Sequence, residues 1–155
     1  MPTANRTKIN QLLSEQPQGV VLQSSWLARE GYSIDLQKHY RKSNWLQSIG
    51  RGALVRTGDH VGYEGAVYAL QKQSGITVHP GGRTALSILG KAHYLELAAN
   101  RVVLFGNSSE KLPAWFRNHD WGVKVDYHGT SFLPSTMGLI EVELKNFSIK
   151  ISGAA

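Results

Sequence analysis

The chain has 155 residues, which is enough for one ordinary domain or two small ones with a hydrophobic core. Its hydrophobic content of 41% and its formal net charge of +6 describe a globular chain that favours polyanionic partners. It contains no cysteine, which excludes a disulfide framework and a zinc–thiolate site, and no apolar run approaches the ~20 residues that span a bilayer.

The beginning of the sequence, residues 1–6, contains no apolar core of a secretory signal, so we expect a cytoplasmic protein without a membrane partner. The charge is uneven along the chain. Residues 1–60 carry eight cations and four acids, a net +4, whereas residues 61–155 carry nine and seven, a net +2. The excess of positive charge therefore lies in the first part of the chain.

The beginning of the chain predicts a helix, a short strand and two further helices. Apolar residues at helical spacing predict a helix over residues 4–15, and the apolar run at residues 20–22 could pair with later strands. Ser25 and Ser33 stand where they could cap two short helices, with Gly31 in the turn between them. Two short helices joined by a tight turn are typical of a helix-turn-helix.

The helix that follows Ser33 carries most of its charge on one face. If Leu36 and Tyr40 face inward, helical geometry turns three cations outward. These cations are Lys38, Arg41 and Lys42, with Gln37 and His39 beside them. Such a face suits a major groove lined by phosphates and base edges. The alternative, a solvated basic surface, is the commoner reading of a basic helix taken alone.

A β-hairpin pattern follows this helix directly. Residues 45–49 alternate like a half-buried strand, residues 50–52 form a glycine turn with Arg51 at its tip, and residues 53–56 return. A hairpin after a candidate recognition helix is typical of a winged helix. The core candidates of this unit are Trp26, Leu27, Leu36, Tyr40, Trp45 and Leu46.

This pattern predicts eight DNA-contacting residues. Lys38, Arg41, Lys42 and Gln37 are expected in the major groove, Arg51 and Arg56 at phosphate or the minor groove from the wing, and Ser24 and Ser25 at backbone phosphate beside a helix N-terminus. The leading hypothesis is therefore sequence-specific binding of double-stranded DNA.

A polar, glycine-containing joint near residue 60 divides the chain in two. We predict an α+β protein, with an N-terminal winged helix-turn-helix over residues 1–60 followed by a mixed α/β domain over residues 61–155. The second domain's predicted helices are residues 64–72, 83–89 and a short one opened by Pro113, and its predicted strands are residues 77–79, 101–106, 123–127, 138–144 and 147–151. Lys145 and Asn146 are placed to turn the last two strands into a hairpin.

Nothing in the sequence forms a catalytic constellation. Gly81-Gly82 precedes a helix but lacks the ending of a phosphate-binding P-loop, which favours a tight strand-to-helix turn. Residues 106–109 resemble the glycine-serine turn of nucleotidyltransferases, yet no spaced pair of aspartates follows to hold magnesium. The six histidines, including His79 and His93, have no metal-binding spacing. We therefore expect no enzymatic activity, no metal site and no cofactor.

Four short motifs resemble those of the AbiEi-type antitoxins of type IV (abortive-infection) toxin–antitoxin systems. They are the N-terminal helix-turn-helix; residues 44–46 running into 49–54; residues 81–86 with His93-Tyr94-Leu95; and residues 103–106 followed by 112–115. Their order and spacing extend over nearly the whole chain.

The resemblance implies a winged-helix repressor that binds the operator of its own operon, and a second domain that counteracts a nucleotidyltransferase-like toxin encoded beside it. In this family the neutralisation is thought to need no stable toxin–antitoxin complex. Family members usually continue past the position of residues 152–155 into a helical region, so the resemblance implies a fragment or a short member.

Two other classes of function stay open at this point. The winged helix could be a scaffold in a protein-interaction module whose partner meets the exposed sheet of residues 123–151, because fold does not fix function. An enzyme acting on nucleic acid or nucleotide is suggested only by the basic charge and the Gly81-Gly82 turn, and the missing carboxylate cluster argues against it.

Overall fold

The computed structural model describes residues 4–90, 100–130 and 138–153, with side chains from residue 8 onward. The helices are α1 (Ala4–Glu15), α2 (Ser24–Arg29), α3 (Ile34–Lys42), α4 (Tyr63–Lys72), α5 (Gly82–Ile88) and α6 (Ala114–Asn118). The strands are β1 (Leu22–Gln23), β2 (Leu46–Gly50), β3 (Ala53–Arg56), β4 (His79–Pro80), β5 (Arg101–Asn107), β6 (Lys124–Thr130), β7 (Leu139–Glu143) and β8 (Ser148–Ser152). The chain is a mixed α+β protein, as predicted. His93, Tyr94 and Leu95 lie outside the described residues.

The N-terminal elements surround a three-stranded antiparallel sheet in the order β1-β3-β2. Leu22 pairs with Leu54, which confirms that the apolar run at residues 20–22 leads into a strand paired with the hairpin. The ladder between β2 and β3 shifts register between Ser48 and Gly50, so the hairpin carries an irregularity just before its tip.

The two helix starts differ from each other. The Ser33 hydroxyl accepts from the Leu36 N–H at 3.1 Å, which confirms Ser33 as the cap of α3. The prediction that Ser25 caps α2 is wrong, because α2 begins at Ser24 and its cap position is Gln23, without a side-chain cap. The chain enters α2 directly from β1, so strand pairing determines the start of α2. Gly31 follows α2 with φ +98°, a conformation that glycine adopts without strain.

One predicted core residue lies outside the core. Leu27, Tyr40 and Leu46 are buried, whereas the Trp45 residue is 46% exposed. Leu46 begins β2 with its side chain inward, so the neighbouring residue faces away because strand side chains alternate. Trp45 was a core candidate because of the size of its indole, but its position next to inward-facing Leu46 directs the side chain to solvent.

Residues beyond the hairpin form two further sheets. β5 lies between β4, which is antiparallel to it, and β6, which is parallel to it. β7 and β8 form the predicted terminal hairpin, in which the Leu144 N–H donates to the Phe147 carbonyl at 2.7 Å across the turn. The predicted strand at residues 77–79 is shifted to His79–Pro80, and Pro113 is the cap of α6, one position before its first turn.

Helix α4 joins the N-terminal sheet to the later elements. Its inner face is buried, with Val67 0% and Leu70 1% exposed, in a core that also contains Val21 just before β1, Val55 from β3 and Ile149 from β8. A second core lies among α1, α2, α3 and the first sheet. The first sheet therefore contributes to both cores, and the two parts of the chain pack on each other along α4.

Two glutamines at the C-terminal end of α4 hydrogen-bond to strand backbone through their side-chain amides, as a neighbouring strand would. The Gln73 amide donates to the Val21 carbonyl and accepts from the Gln23 N–H, each at 2.9 Å, so it pairs with β1 as a strand would. The Gln71 amide makes the same two contacts with Lys150 of β8, both at 2.9 Å. The two side chains satisfy strand edges on both sides of α4.

The Tyr40 hydroxyl is buried without a hydrogen-bond partner among the described residues, and burial raises the pKa of its phenol. Tyr40→Phe is therefore expected to raise the free energy of unfolding by about 1 kcal/mol, because it removes a desolvated and unpaired group. Urea unfolding followed by circular dichroism measures the change.

Tyr32→Phe is the matched control. The Tyr32 hydroxyl donates to the Lys8 carbonyl at 3.3 Å, so its removal is expected to lower stability slightly. Equal destabilisation by both substitutions would mean that the Tyr40 hydroxyl has a partner in solution.

Candidate nucleic-acid interface

Three cations cover the outer face of α3. Lys38, Arg41 and Lys42 are all exposed, as the helical spacing predicts. Their side chains make no hydrogen bond or ion pair with any described residue. The ion pairs found within residues 8–90, 100–130 and 138–153 are Lys72–Glu141 and Arg101–Asp126, both far along the chain from α3. The positive charge of this face is therefore not neutralised by its described surroundings.

The hairpin places a fourth exposed cation near this helix. Arg51 lies in the turn between β2 and β3, and the neighbouring Gly52 carbonyl accepts from the Ser24 N–H at 2.9 Å. The Ser24 hydroxyl in turn donates to the Gln37 side chain at 2.5 Å. Two hydrogen bonds thus connect the hairpin turn to α3.

The hairpin is also supported from the second part of the chain. A side chain built on Gly50 would begin 3.5 Å from Cβ of Trp115, and one on Gly52 would lie 3.8 Å from that indole. Trp115 belongs to α6 and is buried. Trp115 therefore packs against the two glycines that flank Arg51, which connects the hairpin turn to the core.

Gln37 lies on the inner side of α3, which corrects its predicted role in a groove. It is 3% exposed, and its amide donates to the Tyr32 carbonyl at 2.8 Å and the Ser24 carbonyl at 3.1 Å. At about 100° per residue, position 37 lies between Arg41, about 40° away, and Tyr40, about 60° away, so the buried side of the helix extends as far as Gln37. Gln37 therefore fixes α3 against the start of α2.

Ser24 and Ser25 differ in whether their hydroxyl groups are free to contact phosphate. Ser24 is half-buried and its hydroxyl donates to Gln37, so the group predicted to contact phosphate is already used inside the protein. Ser25 is exposed in the first turn of α2, where it remains a candidate contact.

Arg56 also lies elsewhere than its predicted position at the DNA. Its guanidinium donates to the Leu13 carbonyl at 2.6 Å and also to the Gln16 carbonyl, so it closes the C-terminal end of α1. A cation at this end of a helix satisfies carbonyls that have no partner inside the helix. Arg56 is therefore occupied within the protein, contrary to its predicted contact with DNA.

Arg56→Ala is expected to lower the free energy of unfolding by about 1–2 kcal/mol, because two charge-assisted hydrogen bonds are lost at a half-buried position. Arg51→Ala, on the exposed turn, is expected to change stability by less than about 0.5 kcal/mol. Chemical denaturation of both variants compares the two arginines. Equal effects would contradict the assignment of Arg56 to α1.

Sequence comparison decides the family. Residues 5–97 match the family described as "Transcriptional regulator, AbiEi antitoxin N-terminal domain", and residues 99–155 match "Transcriptional regulator, AbiEi antitoxin, Type IV TA system". The chain belongs to the AbiEi antitoxin family. This confirms the resemblance drawn from the four motifs.

A solved structure is similar to this AbiEi-family chain. It is the crystal structure of the RV2827C protein from Mycobacterium tuberculosis, with a TM-score of 0.51 and 17% sequence identity. The match covers 89% of this chain and 48% of that protein, so the chain spans about half of the other protein's length. At this identity the likeness concerns the fold alone. No characterised protein matches the sequence at a significant level.

In the described part of the AbiEi-family chain, no group of three histidine or carboxylate side chains has the arrangement of a metal site. None of the described helices is long and apolar enough to cross a membrane. A side chain at Gly81 would clash with the Phe105 ring, so this glycine is required for the close approach of the turn to β5. The Gly81-Gly82 junction is a packed strand-to-helix turn.

Proposed function

We propose that this AbiEi-family chain represses its own toxin–antitoxin operon by binding the operator as double-stranded DNA. Residues 1–60 would act as a winged helix, with α3 in the major groove and the hairpin at the backbone. Residues 61–155 would form the antitoxin-type domain, which counteracts a nucleotidyltransferase-like toxin encoded nearby. Both activities would take place in the cytoplasm, without catalysis and without a stable toxin complex.

One observation carries the DNA-binding proposal. Lys38, Arg41 and Lys42 share the exposed face of a capped helix, and no described acid neutralises them. An array of this kind favours a polyanion, and a helix about 10–12 Å wide fits the major groove of B-DNA. Arg51 and Ser25 are also exposed, and we propose that they contact phosphate and set the register of α3 in the groove.

The direct test is an electrophoretic shift with the intergenic DNA upstream of the operon, against a scrambled duplex of the same length. Specific binding is expected, and its affinity should fall steeply with salt because each phosphate contact releases counterions. Four cations predict a slope of about −3 to −4 in log affinity against log salt concentration. A flat salt dependence would overturn the proposal.

The antitoxin part has its own test. Expression of the neighbouring toxin gene should arrest growth, and co-expression of this chain should restore it. Purification of the tagged chain from those cells should yield no stoichiometric toxin. Arrest that persists despite full expression of the chain would contradict the neutralising role of residues 61–155 and leave the DNA-binding part intact.

A further inference from the structure

A hydrophobic side chain lies among the cations of the α3 face. Ile34, the first residue of α3, is 60% exposed, the largest exposure among the exposed large hydrophobic residues in the described parts of the chain. A single exposed isoleucine has no meaning by itself, because soluble proteins commonly carry such residues. Ile34 becomes a candidate contact residue because it lies on the same face as the basic residues of α3.

Helical geometry puts Ile34 in the same stripe as the cations. At about 100° per residue, Lys38 lies about 40° from Ile34 around the axis and Arg41 about 20° on the other side. Buried Tyr40 lies about 120° from Ile34 around the axis, and buried Gln37 about 60° away on the Arg41 side. The exposed face of α3 therefore begins with Ile34 near its edge and continues along the axis with three cations, with Asp35 and His39 towards its other edge.

The first turn of α3 holds Ile34 in a fixed position. The Ser33 hydroxyl accepts from the Leu36 N–H at 3.1 Å, and the Gln37 amide joins this turn to the Tyr32 carbonyl at 2.8 Å. A β-branched side chain on a helix has one strongly preferred rotamer. The methyl groups of Ile34 are thus presented to solvent from a rigid support, with little conformational entropy to lose on binding.

Charge indicates which part of the DNA this turn would face. Asp35 is exposed beside Ile34, and a carboxylate there repels phosphate. The first turn of α3 therefore has no electrostatic attraction to phosphate, whereas the later cations would contact phosphates or guanines. Exposed Ile34 can gain only from an apolar partner. The base edge that offers an apolar partner in the major groove is that of thymine, through its C5-methyl group.

We propose that Ile34 is a specificity-determining residue that selects a thymine in the operator by contact with its C5-methyl group. The inference rests on the proposed DNA-binding function. With a rise of 1.5 Å per residue, Ile34 and Lys38 are about 6 Å apart along the axis. The selected thymine would therefore lie within about two base pairs of the base opposite Lys38, since base pairs are spaced about 3.4 Å apart.

The test replaces thymines of the protected operator one at a time by deoxyuridine, which removes the methyl group and leaves base pairing unchanged. For the native chain, the substitution at the selected thymine should weaken binding about three- to fivefold, as expected for loss of a buried methyl contact. For Ile34→Ala the thymine and uracil duplexes should bind equally. Equilibrium fluorescence anisotropy with labelled duplexes measures both.

Leu86→Ala is the matched control, because Leu86 is 43% exposed on α5 in the other part of the chain. It should retain the preference for thymine. If the native chain binds specifically but is insensitive to every uracil substitution, the role of Ile34 is overturned and the DNA-binding function is not. The same holds if the preference for thymine persists in Ile34→Ala. Absence of any sequence-specific binding would overturn the proposed function itself, and this inference with it.

Discussion

Replacing Lys38, Arg41 and Lys42 together by alanine is expected to weaken specific operator binding about 100- to 1,000-fold. All three side chains are exposed and unpaired within the described residues, so their charge is available to the phosphates and base edges of a duplex. Each contact to a base is worth about 1–3 kcal/mol, and each contact to a phosphate contributes about one unit of the salt slope. Titrations at several salt concentrations should show both losses.

Stability should change little in this triple variant. The three residues are exposed, and Arg41 and Lys42 belong to the last turn of α3, where cations stabilise the helix dipole by about 0.3–1 kcal/mol each. A decrease of about 1 kcal/mol in the free energy of unfolding is therefore expected. Thermal unfolding and circular dichroism check that the loss of binding is not a loss of fold.

A control with the same change in charge distinguishes a local surface from general basicity. Lys111, Lys124 and Lys145 are exposed cations in the second part of the chain, outside both described ion pairs. Their combined replacement by alanine lowers the net charge by the same amount. It should weaken operator binding less than about threefold, through long-range attraction alone. Equal losses of affinity in the two triple variants would mean that binding depends on overall net charge and not on the α3 face.

The triple variant on α3 also separates the two proposed activities. If residues 61–155 neutralise the toxin, co-expression of this variant should still restore growth, while repression of the operon promoter is lost. A reporter gene under that promoter measures repression in the same cells. Simultaneous loss of both activities in a folded variant would tie neutralisation to the DNA-binding surface.

Local sequence signals were sufficient to predict most elements of this fold. Alternating apolar residues in β5 and in the terminal hairpin, and a serine cap before α3, act within a few residues of where they stand. The three cations of α3 were predicted correctly as exposed because two apolar neighbours fix the inner side of the helix. The parallel pairing of β5 with β6 depends on the path of the chain between them, and the element pattern alone did not predict it.

Two of the errors concern polar side chains whose partners are distant in sequence. Gln37 and Arg56 looked available for DNA, yet their partners are Ser24, thirteen residues away, and Leu13, forty-three residues away. Nothing near Arg56 in the sequence indicates that it closes the end of α1. The helical wheel gives no clear signal for Gln37, because position 37 lies about 40° from exposed Arg41 and about 60° from buried Tyr40. Its burial depends on its hydrogen bonds to the Ser24 and Tyr32 carbonyls.

The contact between α4 and β1 leads to the largest stability effect expected for a single substitution. Gln73→Ala should lower the free energy of unfolding by about 2–4 kcal/mol. The substitution leaves the Val21 carbonyl and the Gln23 N–H without partners, and both residues are buried, with Val21 0% and Gln23 7% exposed. A buried backbone group without a partner costs about 1–3 kcal/mol. Urea unfolding measures the change.

Gln71→Ala is the matched control on the other side of α4. Its amide makes the equivalent pair of hydrogen bonds with Lys150, which is exposed, so water can replace the lost partner there. It also donates to the carbonyl of buried Val78 at 2.9 Å. One buried carbonyl loses a partner, against two buried backbone groups for Gln73, so the expected cost is smaller, about 1–2 kcal/mol. Equal costs for the two glutamines would show that burial of the strand edge does not control the effect.

Gln73→Glu tests the donor role separately. A carboxylate at this position can still accept from the Gln23 N–H, but it cannot donate to the Val21 carbonyl, and its charge is buried. Burial should raise the pKa of the introduced carboxyl group above its value in the unfolded chain, so folding favours its protonated form. The stability deficit relative to the native chain should therefore be largest at neutral pH and shrink as the pH falls through that raised pKa. A deficit that does not change with pH would mean that Gln73 contributes through packing, and that its hydrogen bonds to β1 are secondary.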